Sequence, residues 1–410
     1  MRPIGELFTL KARYEELKEE LVPSFSSVIK SWIGYPIPTK FRDPEYVYSI
    51  TYRTEPLKMF VRNISEALKI GKPSGGPLKR GFGFGKTHAM IFLWHVFNTN
   101  VAAKHQRELE ELGITDELVK TTLTIGIDFT EATPLTTLIE ELQTYSKPTH
   151  QIAEVKDGRL IRAASQTLSQ AKTLGPAIPS YQLANLITTI LKKYRELGGR
   201  PRLLLLIDEL GYGISLKLKR YCEEAEKSTG RGREHYNEIA RLLDFLSHLY
   251  AELDRASIPS TIIWAIADQD MKTIEALMDR YYDNERLRRA VKSVIDELGV
   301  LAERYQRGAG GMGVAAFSYS PKHAVEIAKF RTLEAVEGVD IEDASNEFVR
   351  GLSTIAAKIN IIEEFEAKKH LMKSYYPFSP GLIALMMKLM TPEDVPATEY
   401  VRTLISIAAK

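Results

Sequence analysis

The sequence predicts an α/β protein: a three-layer core around a mainly parallel sheet, followed by a smaller helical unit. Three observations carry that prediction. Between residues 76 and 320, short β-rich apolar runs alternate with helical patterns, the order that builds parallel sheets. The run Leu203-Leu204-Leu205-Leu206-Ile207 is continuously apolar, as a strand buried on both faces must be, and Pro259 to Ala267 reads the same way. From Pro321 onward the pattern is almost wholly helical.

The elements follow in order. A charged helical pattern runs from Leu10 to Glu20, then a loop through Pro23, Pro36 and Pro38. Asp43 to Thr54, rich in aromatic and β-branched residues behind a proline, predicts an extended or turn segment. A helix from Pro56 to Lys69 and a loop over Gly71 to Pro77 precede a glycine-rich stretch whose helix runs to Asn98. Residues 103–120 read as helical, Thr122 to Phe129 as a strand and Pro134 to Tyr145 as a helix with proline in its first turn. Residues 147–180 show no clear period and read as an insertion. A helix over 181–198 ends at Gly198-Gly199. Lys217 to Arg233 reads as a mobile loop, its Glu223, Glu224 and Glu226 nearly cancelling its positive charge. A long helix to Arg255, helices over 271–306 broken near Tyr281-Tyr282, a glycine cluster at 308–313 and a last strand from Val314 to Tyr319 complete the core. Helices are predicted over 321–334, 342–373 and 379–390. The domain division is therefore 1–70 as an N-terminal extension, 71–320 as the core and 321–410 as a helical lid.

Composition narrows the classes of function. Over 410 residues, 44% hydrophobic and 26% charged residues are ordinary for a globular protein, and a net charge of +2 demands no nucleic-acid partner. Cys222 is the only cysteine, which excludes an internal disulfide framework or a cysteine-rich zinc site. No apolar run approaches the length of a membrane span, and Met1 to Glu6 hold no apolar signal core, so a cytoplasmic location without membrane contact is expected.

The chemistry concentrates in Gly81-Phe82-Gly83-Phe84-Gly85-Lys86-Thr87-His88. Alternating glycines let successive backbone N–H groups converge on one anion, and the helix that follows adds the positive end of its dipole. Lys86 is placed to reach β- and γ-phosphates and the Thr87 hydroxyl to ligate Mg²⁺, which makes ATP with Mg²⁺ the expected ligand pair. The strict phosphate-loop pattern has glycine where this chain has Arg80, so the loop alone is incomplete. Asp208-Glu209, at the end of the apolar strand, supplies what it needs: Asp208 to hold the metal through water and Glu209 to polarise the attacking water. Asp268 and Gln269, at the end of the next strand, read either as γ-phosphate sensors or as strand-end caps. That strand is expected to lie beside the phosphate-loop strand. Arg304 and Arg307, closing a helix, read either as solvated residues favoured by the dipole or as arginine fingers offered to a neighbouring subunit. Arg286, Arg288 and Arg289 read as a solvated helix face, and His95 as a packing group.

These residues resemble a known family. The loop Gly81 to His88, with Trp94-His95 after it, looks like that of archaeal and bacterial AAA+-type ATPases classed under domain of unknown function 499, which are similar to the large ATPases of BREX-type phage defence. Asp43-Pro44-Glu45-Tyr46 with Thr51-Tyr52-Arg53-Thr54, Ile207-Asp208-Glu209-Leu210 and Tyr376-Pro377-Phe378-Ser379-Pro380 resemble further motifs of that family, the last in its helical lid. The resemblance implies an AAA+-like P-loop NTPase fold, ATP hydrolysis, assembly into a homo-oligomer, and a DNA or DNA-modification or defence protein as partner. A lid arginine that senses nucleotide is left to Arg402. Two readings of the work done stay open: remodelling or movement of a partner such as DNA, and a nucleotide-gated scaffold that hydrolyses slowly.

Overall fold

The computed structural model describes residues 4–11, 17, 23–79, 85–171, 178–226, 232–308, 321–379, 381 and 405. It is a mixed α/β structure, mostly helical. The short strand β1 (Phe8–Leu10) pairs with a distant partner, and the four strands β2 (Pro73–Lys79), β3 (Thr122–Asp128), β4 (Arg202–Asp208) and β5 (Ser260–Ile266) form one parallel sheet in the order β2-β5-β4-β3. β5 therefore lies between the strand that leads to the glycine-rich loop and the strand that ends in Asp208, the adjacency the sequence predicts. β3 and β5 are buried along their whole length and β4 along all but Arg202.

The predicted loop over Gly71 to Pro77 is instead the greater part of β2. Its two prolines and two glycines hide a strand, and the paired neighbour explains the glycine. Gly75 lies at φ +139°, and a Cβ there would stand 1.8 Å from the Ile262 carbonyl oxygen of β5. Only glycine allows this approach.

Helices cover the sheet. α1 (Phe25–Ile33) is capped by Ser24, whose hydroxyl accepts from Ser27 N, and ends at Gly34 with φ +110°. It lies against β3 at Gly126, where a Cβ would meet Ile29 and Phe25 at 2.5 and 2.7 Å. Asp43 to Thr54 is mostly not extended: Asp43 caps α2 (Pro44–Ile50), and only residues 51–54 run free before Thr54 caps α3 (Glu55–Ala67). Local capping by Asp43 with proline in the first turn outweighs the β propensity of the tyrosines. α4 (Lys86–Asn98) is buried from Ala89 to Asn98 and packs on β3 and β4.

Residues 103–120 hold only short helical turns. α5 (Pro134–Tyr145) is followed by a helical turn at Gln151–Val155 and then α6 (Gly158–Gln170), where the sequence shows no clear period. Leu160, Ile161, Ala164 and Leu168 recur at helical spacing and are buried in the main core. Small alanines on that face mask the pattern. Lys156, fully buried, donates to the carbonyls of Phe97 (2.7 Å), Val119 (3.1 Å) and Thr122 (2.7 Å), three acceptors for three donors.

α7 (Ser180–Glu196) leads to β4, and α8 (Leu210–Glu226) replaces the first part of the predicted loop from Lys217 to Arg233. Lys217 is buried, bonded to Glu238 (2.6 Å) and to the Glu131 carbonyl (3.0 Å). α9 (Gly232–Arg255), α10 (Asp268–Arg280) and α11 (Glu285–Gly308) follow, and the predicted last strand Val314 to Tyr319 lies outside the described residues.

The C-terminal part comprises α12 (Pro321–Thr332), β6 (Leu333–Ala335), α13 (Ile341–Lys358) and α14 (Ile362–Tyr375). The predicted single helix over 342–373 breaks at Asn360, which takes φ 56°. β6 pairs antiparallel with β1, so the N-terminal segment docks here, and Leu7, Ala344 and Tyr376 form a small cluster separate from the main core. The predicted helix over 379–390 and the candidate Arg402 lie outside the described residues. Among the described residues no helix is long and apolar enough to cross a membrane.

Candidate functional site

Of the residues singled out in the sequence, the C-terminal edge of the parallel sheet gathers Lys86, Thr87, Asp208, Glu209 and Asp268. α4 opens there. Gly85 takes φ 75° as its N-cap, a left-handed turn that suits glycine, and its carbonyl accepts from Ala89 N (2.8 Å). Lys86 and Thr87 thus stand in the first helical turn, whose N–H groups have no partner within the helix. Gly81, Phe82, Gly83 and Phe84 lie outside the described residues.

β4 delivers Asp208 opposite this turn. The side chain is buried and faces the Thr87 hydroxyl, and neither carboxylate oxygen makes a well-formed hydrogen bond among the described residues. Burial first, then the charges of Glu209 and Asp128, push its pKa well above the usual carboxylate range, against the pull of the Thr87 hydroxyl. An orphaned buried carboxylate is expensive unless something else balances it.

Glu209 follows with φ 52°, a left-handed backbone that a non-glycine residue adopts only under constraint. The constraint is visible. Its carbonyl accepts from Gly213 N (2.8 Å) as the chain turns into α8. Gly211 and Gly213 leave no room for a side chain, since a Cβ would meet Asp270 Oδ2 at 2.6 Å and the Phe129 carbonyl oxygen at 2.6 Å. The turn that swings Glu209 off the strand end is therefore fixed by tight packing on both sides.

Lys86 is surrounded by acids. Burial lowers its pKa, while Glu209, Asp270, Asp208 and Asp268, in that order, hold it up. Of the two residues predicted at the end of β5, Asp268 belongs to this field, while the Gln269 carbonyl accepts from Thr273 Oγ1 (2.9 Å) within α10. Asp270 was not singled out in the sequence. It is buried, its Oδ2 accepts from Ala267 N (2.8 Å), and it backs onto Gly211. The sequence signal was its place two residues beyond Asp268 in the first turn of a helix.

His88 faces away from the sheet edge towards the N-terminal part: its Nε2 lies 2.8 Å from Thr51 Oγ1 and its ring stands edge-on to Phe41. Burial of the ring, then the Arg331 charge on α12, lowers its pKa to about 3, so it is neutral. Thr51 in the upstream motif is thereby explained as a partner of the first turn of α4. Arg304 and Arg307 are not brought to the cluster. Arg304 donates to Ser247 Oγ (3.0 Å) and Arg307 pairs with Glu303 (3.0 Å).

Among the described residues no group of three or more His, Cys, Asp or Glu side chains could by itself hold a metal. The donor set here, one hydroxyl and one orphaned carboxylate, suits a Mg²⁺ ion that keeps its waters and takes further oxygens from a phosphate ligand.

Residues 11–168 match the family model described as the DUF499 N-terminal domain. The DUF499 match takes in Lys86, Thr87 and Asp128 and stops before Asp208. No curated protein and no solved structure matches the chain.

Proposed function

We propose that the chain is an AAA+-like P-loop ATPase that binds ATP with Mg²⁺ at the edge formed by Lys86, Thr87, Asp208 and Glu209. The single observation that carries this reading is Asp208: a buried carboxylate, without a well-formed hydrogen bond, facing the Thr87 hydroxyl in the first turn of a helix that follows a glycine-rich loop. The strand order β2-β5-β4-β3 supports it, because it inserts one strand between the loop strand and the acid strand. The resemblance and the DUF499 match add to it.

In this reading the first-turn N–H groups of α4 and the Lys86 ammonium bind the β- and γ-phosphates, and the four acids around Lys86 keep it charged against burial. Bound Mg²⁺ neutralises developing phosphate charge. Thr87 and Asp208 would hold the ion, and its positive charge would favour the ionised form of Asp208. Glu209 orients the attacking water from a backbone that cannot relax. Asp268 borders the γ-phosphate position. Arg304 and Arg307, set apart from the cluster, leave room only for a part at the nucleotide of a second copy in a homo-oligomer. The C-terminal helical unit serves as the lid, and hydrolysis moves or remodels a DNA or protein partner in an anti-phage or DNA-modification system.

Turnover of ATP, with and without double-stranded DNA and with sizing in ATP and ADP, tests the reading. Mg²⁺-dependent hydrolysis by the wild type, reduced on the order of 100-fold or more in Lys86→Ala, is the expected result. Turnover unchanged in Lys86→Ala would overturn it. Stimulation by DNA favours the motor, while oligomer size that follows nucleotide with no response to DNA favours the scaffold.

A further inference from the structure

Two neighbouring strands end in the same kind of residue at the same level. Asp128 closes β3 and Asp208 closes β4, and they are register partners in the parallel ladder. Partners in a parallel ladder send their side chains to the same face, on strands roughly 4.8 Å apart. Like charges so placed are unfavourable unless something positive stands between or above them.

The two acids are treated differently by their surroundings. Asp128 is held from three sides: Oδ1 accepts from Thr130 N (3.0 Å) and Thr130 Oγ1 (2.6 Å), and Oδ2 accepts from Ser26 N (3.3 Å) in the first turn of α1. These donors aim the carboxylate in one direction and favour its charged form, against burial, which raises its pKa overall. Asp208 is met among the described residues by the Thr87 hydroxyl and the Glu209 backbone, with no well-formed hydrogen bond to either oxygen. A fully buried carboxylate so poorly satisfied and facing Thr87 points to a ligand between this pair and Thr87.

We propose that Asp128 is a positioning residue of the cation site, fixing the water ligands of a divalent cation bound by Thr87 and Asp208. The proposal rests on the nucleotide reading above and goes beyond it by adding an acid from the strand on the far side of Asp208. It also gives α1 a part in the site, since Ser26 helps to orient Asp128, and Ser26 Oγ bonds Glu131 on the same strand end.

Equilibrium binding of a fluorescent ATP analogue to the full chain, in Mg²⁺ and in EDTA, tests it. The wild type should bind more tightly in Mg²⁺. In Asp128→Asn that enhancement should fall about 10- to 100-fold, the usual cost of removing an outer partner of a metal site, with affinity in EDTA unchanged. Thr130→Val, which removes a hydroxyl donor from the same carboxylate but keeps its charge, should retain the enhancement. Full enhancement in Asp128→Asn overturns the proposal and leaves the nucleotide reading standing. Loss of affinity in EDTA as well, or equal loss in Thr130→Val, makes Asp128 a purely structural residue and overturns it too. A wild type that binds no nucleotide in either condition removes the reading and the proposal together.

Discussion

His95 shows how a residue in a motif serves the fold. Its Nε2 lies 2.7 Å from the Phe41 carbonyl oxygen, and its Nδ1 is buried with no partner among the described residues. The neutral ring that donates to Phe41 fits, whereas a charged ring would bury a second, unpaired N–H. Burial accordingly pulls its pKa to about 4, against about 6.5 for an unfolded histidine. The contribution to stability is complete above pH 6.5 and is lost as pH falls through about 4, with a slope of about 1.4 kcal/mol per pH unit in between. Glu141, which accepts from Trp94 Nε1 (2.7 Å) and Gly126 N (2.8 Å), has the opposite sign, because burial raises its pKa to about 8 and its contribution fades as pH rises towards that value. The difference between wild type and His95→Gln therefore isolates the histidine. Urea midpoints from pH 7 to pH 4 should converge as acid is added, and a constant gap would remove His95 from the account. At this scale the site was largely legible. Lys86, Thr87, Asp208 and Glu209 are marked by spacing along the chain. Asp128 and Asp270 were not, since their meaning depends on which strands are neighbours and in what register.

At the scale of elements, β2 is the instructive case. Pro73-Ser74-Gly75-Gly76-Pro77 has every local mark of a loop, yet it pairs along its full length with β5. The reason is steric and non-local: Gly75 lets the Ile262 carbonyl approach where any side chain would stand. Gly75→Ala should therefore cost about 3 kcal/mol or more, through both overlap and backbone strain. Ser74→Ala, which removes a hydroxyl bonded to the Ser260 carbonyl (3.0 Å) and 3.4 Å from Thr261 Oγ1, should cost about 1 kcal/mol. Thermal unfolding of the two variants compares them directly, and similar midpoints would show that β2 is not held as described. β4 and β5 were legible because their apolar runs are free of breakers, and β3 because its β-branched and apolar residues outweigh the single Gly126. α6 and α8 were not, since alanine, lysine and glutamate dilute their patterns and only packing reveals which residues face inward.

For the whole molecule, the segment Leu7 to Leu10 meets elements that lie after residue 330. β1 pairs with β6, Leu7 is buried against Ala344 and Tyr376, and the Tyr376 ring stands 6.1 Å from Phe8 and 5.2 Å from Phe348. The Tyr-Pro-Phe motif near the C-terminal helices thus anchors the N-terminal segment, a contact between residues more than three hundred positions apart that no local pattern could disclose. Leu7→Ala should cost about 2–4 kcal/mol, felt first in α13 and α14 because their cluster is separate from the main core. Hydrogen exchange should quicken in those helices and remain slow in β3, β4 and β5. Equal quickening in both would mean that the two clusters unfold as one.

The central claim is that Asp208 and Glu209 complete an ATP site opened by Lys86 and Thr87. Its most direct test is Glu209→Gln, assayed for ATP binding and for single-turnover hydrolysis in Mg²⁺. Binding close to that of the wild type with hydrolysis abolished is the predicted result, since the substitution keeps the shape of the side chain and removes the group that polarises water. Hydrolysis at the wild-type rate would contradict the account.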